Sequence, residues 1–144
     1  MELIHLIYSS ASTTSNLTEE ALNIILSESR ENNKANNISG ILLYQDGSFF
    51  QVLEGGRTQI DDLYRKISAD KRHSNVTKII EEEIEERSFG EWTMGYPNIS
   101  RSELEEIPGL NDFFQKGNSF SQLEEGRTRT LLAAFKEGKW RKSI

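Results

Sequence analysis

Two short segments of this 144-residue chain are apolar at almost every position, and they constrain the fold more than any other feature. Residues 3–8 are interrupted only by His5, and residues 49–53 only by Gln51. A strand with one solvated face alternates apolar and polar side chains, whereas a strand buried on both faces does not. We therefore expect two central strands in a sheet that is covered on both faces.

Two amphipathic helices are predicted between and after these strands. Apolar residues at helical spacing begin after Thr18, which suits an N-cap, and continue to residue 34 or 35. A second set of apolar residues predicts a helix that ends near residue 69 or 70, with Thr58 and Asp61 as its capping box. Helices of this kind bury one face against a sheet.

Further extended segments complete the sheet. Residues 38–44 and 49–53 flank the turn signal Asp46-Gly47 and predict an antiparallel pair. Residues 76–85 alternate and predict an edge strand whose acidic run stays in solvent, with a helix over residues 78–87 as the alternative. A last short strand is expected to carry three side chains on one side: Trp92, Met94 and Tyr96.

This order of elements predicts an α+β fold, a ferredoxin-like βαββαβ unit with an additional strand and both helices on one sheet face. The other face also needs a cover. Residues 98–144 supply one, because a capping box at residues 121–124 precedes a predicted helix over residues 121–137 with apolar surface. We therefore divide the chain into residues 1–97 and a C-terminal helical extension.

Composition excludes several kinds of site and partner. The absence of cysteine rules out disulfides, thiolate zinc sites and cysteine nucleophiles, and two histidines cannot form a polyhistidine metal centre. The net charge is −6, although residues 121–144 hold six basic and three acidic residues. We expect no nucleic-acid partner. No apolar run approaches the roughly 20 residues that span a bilayer, so we expect a cytoplasmic protein without membrane contact.

Polar residues at apolar positions are the candidate functional groups. Asn32 and Asn33 end the core-facing side of the first helix, and Gln51 interrupts a central strand next to Tyr8 on its neighbour. Each has an ordinary structural explanation, as a helix-end cap or a buried hydrogen bond. Together they suggest a site for a planar ligand with imide-type hydrogen-bonding edges.

Five sequence fragments that contain these residues resemble the BLUF domain, a flavin-dependent sensor of blue light. The resemblance covers roughly residues 3–96, and Ser39 stands where the family commonly has threonine. The fragments are LIYSS at residues 6–10, NN at 32–33 with ISGILLY at 38–44, FFQVLEG at 49–55, DKRH at 70–73, and WTM at 92–94.

The resemblance implies that FAD binds with its isoalloxazine ring between the two helices. The attachment is expected to be non-covalent, since the chain lacks a cysteine or suitable histidine. Ile25 and Ile67 would then hold the ring, and Asn33, with help from Asn32, would bind its carbonyl and imide edge. Four more residues are implied further out along the cofactor: Lys66, Asp70, Arg72 and His73.

The resemblance also implies a switch. Tyr8 would donate an electron and a proton to the photoexcited flavin, and both would return. Gln51 would be left in a rearranged hydrogen-bond network that shifts the absorption to the red. Trp92 and Met94 would relay the change, and which of them faces the flavin stays open, because a one-residue slip inverts both.

We accordingly expect a bacterial photoreceptor of the stand-alone type, not an enzyme, that signals to a separate protein and forms a homo-oligomer. Two alternatives lack photochemistry. A hydrolase of the acylphosphatase type would need an anion-binding arginine, for which Arg57 is the candidate, and a colourless regulatory module would bind another small ligand. The acidic residues 81–86 are not expected to bind a metal.

Overall fold

The computed structural model describes residues 2–12, 18–45, 47–90, 92–96 and 101–136. Its elements in chain order are β1 (Leu3–Ser12), α1 (Glu19–Ala35), β2 (Ser39–Gln45), β3 (Ser48–Gly56), α2 (Arg57–Ala69), β4 (His73–Glu83), α3 (Arg101–Glu105), α4 (Asn111–Gln115), a 3₁₀ turn (Phe120–Gln122) and α5 (Glu125–Lys136).

The four strands form one antiparallel sheet in the order β2-β3-β1-β4. The two strands that are apolar on both sides, β1 and β3, lie at its centre, as predicted. This order with two helices on one face is the ferredoxin-like arrangement within an α+β fold, so the predicted fold class is confirmed.

Each face of the sheet has its own hydrophobic core. One core joins alternate strand residues to α1 and α2, through Leu22, Leu26 and Ile60. The opposite core joins the intervening strand residues to the C-terminal helices, through residues such as Leu131 and Phe135. Because successive side chains of a strand point to opposite faces, both cores draw on the same strands.

The first helix is confirmed in detail and the start of the second is not. The Thr18 side chain accepts a hydrogen bond from the Ala21 amide at 3.0 Å, and α1 ends at Ala35. Helix α2 begins at Arg57, directly after β3, with Gly56 as its N-cap and no side-chain capping bond. The predicted capping box at Thr58 is therefore wrong, because the helix starts before it.

Strand β1 ends later, and strand β4 begins earlier, than the sequence suggested. The polar run after Tyr8 does not end β1, since Ser9 and Ser10 are buried and β1 continues to Ser12 between two partners. Ser10 also hydrogen-bonds the His73 ring at 2.9 Å, where β4 begins. Residues 78–83 form an edge strand and not a helix. The turn prediction at Asp46 lies outside the described residues.

The expected fifth strand is reduced to a single parallel bridge between Ile41 and Gly95. The Gly40 backbone carries further bonds to this segment, because its amide donates to the Trp92 carbonyl at 3.1 Å and its carbonyl accepts from the Gly95 amide at 2.9 Å. Gly40 has φ +156°, and a Cβ there would lie 1.9 Å from the Val52 carbonyl oxygen. Only glycine fits between the two neighbours.

The C-terminal cover consists of several short helices. The capping box that was expected at residues 121–124 instead spans Ser119 and Gln122 at the 3₁₀ turn, and α5 starts at Glu125. The break follows Leu123, which is buried in the core beneath and turns the chain. The apolar surface that was predicted for this helix is buried in the core, through Leu131, Leu132 and Phe135, and residues 137–144 lie outside the described residues.

Candidate functional site

A cleft of about 240 Å³ opens between α1, α2 and the sheet. Ile25 from α1 and Ile67 from α2 lie on its walls, and both pack against the core on this side. One apolar side chain from each helix thus lies at the same cavity, at the two positions that the resemblance implied. The remaining lining residues are Tyr8, Glu28, Ser29, Asn32, Asn33, Leu42, Phe49, Gln51, Leu63, Lys66, Asp70, Arg72 and His73.

The floor of the cleft carries a chain of three side chains. Tyr8 and Gln51 face each other across β1 and β3, and the Tyr8 hydroxyl donates to the Gln51 carbonyl oxygen. The Gln51 amide nitrogen in turn donates to the Met94 sulfur at 3.3 Å. All three side chains are buried. One N–H of the Gln51 amide remains for another acceptor.

The Tyr8 phenol is held in its neutral form. Burial, and secondarily the neighbouring Tyr64 and Asp70, raises the pKa of Tyr8 well above its ordinary value. The Tyr64 ring packs edge-on against it with 5.9 Å between ring centroids. Tyr8 therefore keeps its proton in the ground state.

Asn33 has one satisfied and one unsatisfied side-chain atom. Its Nδ2 donates to the Thr93 carbonyl at 2.7 Å, whereas its buried Oδ1 has no hydrogen-bond partner among the described residues. Asn33 also lines a second cavity of about 210 Å³, next to Trp92 and Thr93. Buried amide oxygens are rarely left unpaired. This atom therefore calls for a ligand donor.

Asn32 is placed differently from its neighbour. It is half-buried at the cleft wall, and its side-chain oxygen accepts a bond from Asn36 at 3.3 Å. The carboxamide of Asn32 is thus already engaged at the end of α1, as the structural explanation supposed, while Asn33 faces the site.

Charged groups of both signs surround the mouth of the cleft. Arg72 bonds Asp70 through Nε at 3.0 Å and reaches across to Glu28 of α1 at 3.1 Å. The hydrogen bond from Arg72 lowers the pKa of Asp70. Lys66 also lines the mouth, and His73 bonds the carbonyl of Ile67.

Met94 and Trp92 do not lie on one side, contrary to the expectation. Met94 belongs to the core beneath the cleft, as Tyr96 does, whereas Trp92 packs against the C-terminal core and stacks on Phe89 at 5.9 Å. The reason is that residues 92–96 form a single bridge and not a regular strand, so side-chain alternation does not apply.

Five of the described residues line the cleft but were not predicted as site residues from the sequence. Glu28 and Ser29 follow Ile25 by three and four positions and so share its helix face. Leu42, Phe49 and Leu63 line the cleft as apolar side chains without a chemical signal of their own.

The described residues fit an isoalloxazine ring. The ring needs apolar surface above and below it and hydrogen-bonding partners along its imide edge, and Ile25, Ile67, the free Asn33 oxygen and the remaining Gln51 N–H supply them. No group of three or more acidic or histidine side chains suited to a metal occurs in the part of the chain that the structure describes.

Residues 3–95 match the family model of BLUF, the sensors of blue light using FAD. This chain belongs to the BLUF family. It is therefore a blue-light-sensing unit with FAD as its cofactor, as the sequence fragments suggested. A BLUF domain is a sensor and not a catalyst, in agreement with the non-enzyme prediction. Arg57, the hydrolase candidate, lies outside the cleft and is bonded to Glu2 and Glu81.

Individual relatives support the same assignment. The photoactivated adenylate cyclase subunit alpha of Euglena gracilis is 35% identical over 107 residues, which are 74% of this chain and 10% of that protein. The antirepressor BluF of Escherichia coli is 32% identical over 99 residues, 69% of this chain and 24% of that one. The chain thus spans a tenth to a quarter of these relatives.

A BLUF fold of similar size has been solved. The structure of BlsA in its ground state superposes with a TM-score of 0.81 at 29% identity, covering 96% of this chain and 90% of that one. The likeness therefore includes the C-terminal helices. Within the described residues, no helix has the length and apolar character that crossing a membrane requires.

Proposed function

We propose that Tyr8 and Gln51 form the photoactive pair of this receptor and that Met94 receives the change. The observation that carries the proposal is the buried chain of hydrogen bonds from the Tyr8 hydroxyl through the Gln51 amide to the Met94 sulfur. Bound FAD supplies a ring that absorbs blue light and becomes a strong oxidant in its excited state. The protein then has to supply an electron, a proton and a lasting structural change.

Tyr8 suits the first two tasks. Its phenol keeps its proton in the dark because burial raises its pKa. Loss of an electron from Tyr8 to the photoexcited flavin would make the phenol strongly acidic, so the proton would leave with the electron. The proton leaves along the hydrogen bond to Gln51 Oε1 and returns by the same path with the electron. No net bond is made or broken at Tyr8.

Gln51 suits the third task. Its amide has a donor end and an acceptor end, so rotation or tautomerism exchanges the two in place. Its oxygen now faces Tyr8 and its nitrogen faces Met94. In the exchanged state both contacts must be remade, and the Gln51 amide would donate a stronger hydrogen bond to a carbonyl of the bound flavin. Such a two-state element is the requirement for a switch.

The other side chains of the cleft hold the cofactor in this proposal. Ile25 and Ile67 pack on the ring, Asn33 binds its imide edge, and Asn32 supports the end of α1. Four residues at or near the mouth contact the ribityl and outer parts: Lys66, Asp70, Arg72 and His73.

The output runs from Met94 to the C-terminal layer. Residues 92–94 pass between the two cores, with Met94 in one and Trp92 packed against the other. A displaced Met94 therefore moves a segment that also packs against the core shared with the C-terminal helices. Residues 98–144 then act as the signalling extension of a unit formed by residues 1–97.

The receiver is a separate protein in this proposal. In the matched relatives the BLUF region lies within longer proteins, among them adenylate cyclases, which supports coupling to an effector but not its placement on a separate chain. We further propose a cytoplasmic location in a bacterium. We also propose a homo-oligomer, because the acidic residues 1–120 and the basic residues 121–144 carry complementary charge.

The decisive experiment compares absorption spectra in darkness and under blue light. The FAD-loaded chain should show a red-shifted flavin spectrum that reverts fully in the dark. Tyr8→Phe should bind FAD and lose the shift. Tyr44→Phe changes a tyrosine of the same core that does not line the cleft, and it should keep the shift. A normal, stable shift in Tyr8→Phe would refute the assigned mechanism.

A further inference from the structure

The mouth of the cleft contains an ion pair that joins its two sides. Arg72, in the turn after α2, lies 3.1 Å from the Glu28 carboxylate on α1. The same guanidinium is bonded to Asp70 through Nε, and the Asp70 carboxylate also accepts the Arg72 backbone amide at 2.9 Å. All three side chains line the cleft. Asp70 thus fixes Arg72 locally, and Glu28 binds it from across the opening.

Flavins differ in the phosphate groups that they would place at the mouth of the cleft. Riboflavin, FMN and FAD share the ring and the ribityl chain, but riboflavin carries no phosphate. A phosphate that emerges from the cleft meets Arg72 and Lys66 as attractive groups and Glu28 and Asp70 as repulsive ones. Guanidinium groups bind phosphate through paired hydrogen bonds, and a carboxylate already on the guanidinium competes for the same N–H donors.

We propose that Glu28 is a specificity-determining residue that weakens the binding of phosphate-bearing flavins by occupying Arg72. The inference rests on the proposed flavin cleft and deepens it. To bind a phosphate, Arg72 must exchange its contact with Glu28 for one with the ligand, and Glu28 is left beside a negative group. Riboflavin requires no such exchange, so Glu28 should affect it little.

The size of the effect follows from the exposure of the pair. The Glu28 side chain is 59% exposed and the Arg72 side chain 46% exposed, so solvent screens the interaction. Removing the Glu28 charge should therefore strengthen FMN and FAD binding by about two- to fivefold relative to riboflavin.

The test is a set of binding titrations on the full chain freed of flavin, with quenching of flavin fluorescence as the readout. Riboflavin, FMN and FAD are titrated into the wild type, Glu28→Gln, Arg72→Gln and the double variant. Glu31→Gln is the matched control, because Glu31 is an exposed carboxylate one turn further along α1 that does not line the cleft.

The proposal expects Glu28→Gln to strengthen FMN and FAD but not riboflavin, and Glu31→Gln to change none of the three. Arg72→Gln should weaken FMN and FAD, and adding Glu28→Gln to it should restore less binding than Glu28→Gln gains in the wild type. An equal change in all three flavins, or a Glu28→Gln effect as large without Arg72 as with it, would overturn it. If the wild type binds none of the flavins, the proposed function fails instead.

Discussion

Gln51 uses both ends of its side-chain amide on protein partners, and the partner of its nitrogen is the Met94 sulfur, 3.3 Å away. A thioether is a weak acceptor, so this contact is easier to exchange than one to a carbonyl oxygen. The bond from the Gln51 nitrogen to Met94 is therefore the weaker of the two Gln51 bonds, and a change at the cleft should reach Met94 first.

Replacing Gln51 by leucine should leave the fold intact and eliminate the light-induced spectral shift. Leucine has a similar volume but neither accepts a proton from Tyr8 nor donates to the flavin. Difference absorption spectra in light and darkness are the measurement. Gln45→Leu, at the end of β2, is a control glutamine that does not line the cleft and should retain the shift.

Asn33→Ala should weaken FAD retention more than it alters the photochemistry. An imide edge that loses its partner in a buried site costs about 1–3 kcal/mol, which corresponds to a five- to 150-fold weaker hold on the non-covalent cofactor. Flavin occupancy after prolonged dialysis measures this directly. Full occupancy with lost photochemistry would instead make Asn33 part of the proton relay.

Met94→Ala should separate the spectral response from the output. The Tyr8–Gln51 bond remains, so the shift persists, while the contact that leads into residues 92–96 is lost. Hydrogen exchange in darkness and under illumination should show light-dependent protection in 92–96 and α5 for the wild type only. Tyr96→Phe, a conservative change in the same segment, should behave as wild type. Unchanged exchange of both regions in the illuminated wild type would exclude this route.

Glu54→Gln should destabilise the protein more than any exposed acidic substitution. Glu54 is fully buried, and its carboxylate accepts bonds from the Ser39 hydroxyl and from the backbone amides of Ser88 and Phe89. A glutamine would turn a donor toward these donors, at a cost of about 1–3 kcal/mol for each one left unpaired. Urea unfolding measures the loss. The exposed Glu85→Gln should stay within about 0.5 kcal/mol of the wild type.

The attachment of α5 to the sheet should weaken in acid. Arg129 bonds Glu82 at 3.0 Å, His5 bonds the same carboxylate at 2.9 Å, and these contacts lower the pKa of Glu82 from 4.5 to about 2. A depressed carboxylate pKa gives stability that is present above pH 4.5 and lost as the pH falls toward 2. Glu82→Gln should have a lower free energy of unfolding at neutral pH. That free energy, measured by urea unfolding, should also change less between pH 4.5 and pH 2 than in the wild type.

The pattern of the sequence predicted what depends on local spacing. The two doubly apolar strands gave the centre of the sheet, and helical spacing gave the two amphipathic helices. The roles of Ile25 and Ile67 at the cleft came from the family resemblance. Errors arose where tertiary contacts decide. Ser9 and Ser10 continue β1 because two neighbouring strands pair with them, which no property of a serine pair reveals.

The site was predicted through residues that disturb a pattern, and it was incomplete where no pattern is disturbed. Gln51 is polar within an apolar strand, and Asn33 is polar on the core-facing side of a helix. Glu28 is an ordinary charged residue on the exposed side of α1. Its importance arises from Arg72, 44 positions away, which only the folded chain brings within reach.

Asn33 forms part of the wall between the flavin cleft and the second cavity, with its N–H on Thr93 and its oxygen toward a missing donor. A ligand that bonds the Asn33 oxygen fixes the amide whose nitrogen bonds the Thr93 carbonyl. Each of these two contacts therefore stabilises the other by the same coupling free energy. In darkness, the chain without flavin should therefore hold residues 92–96 more loosely than the FAD-loaded chain does.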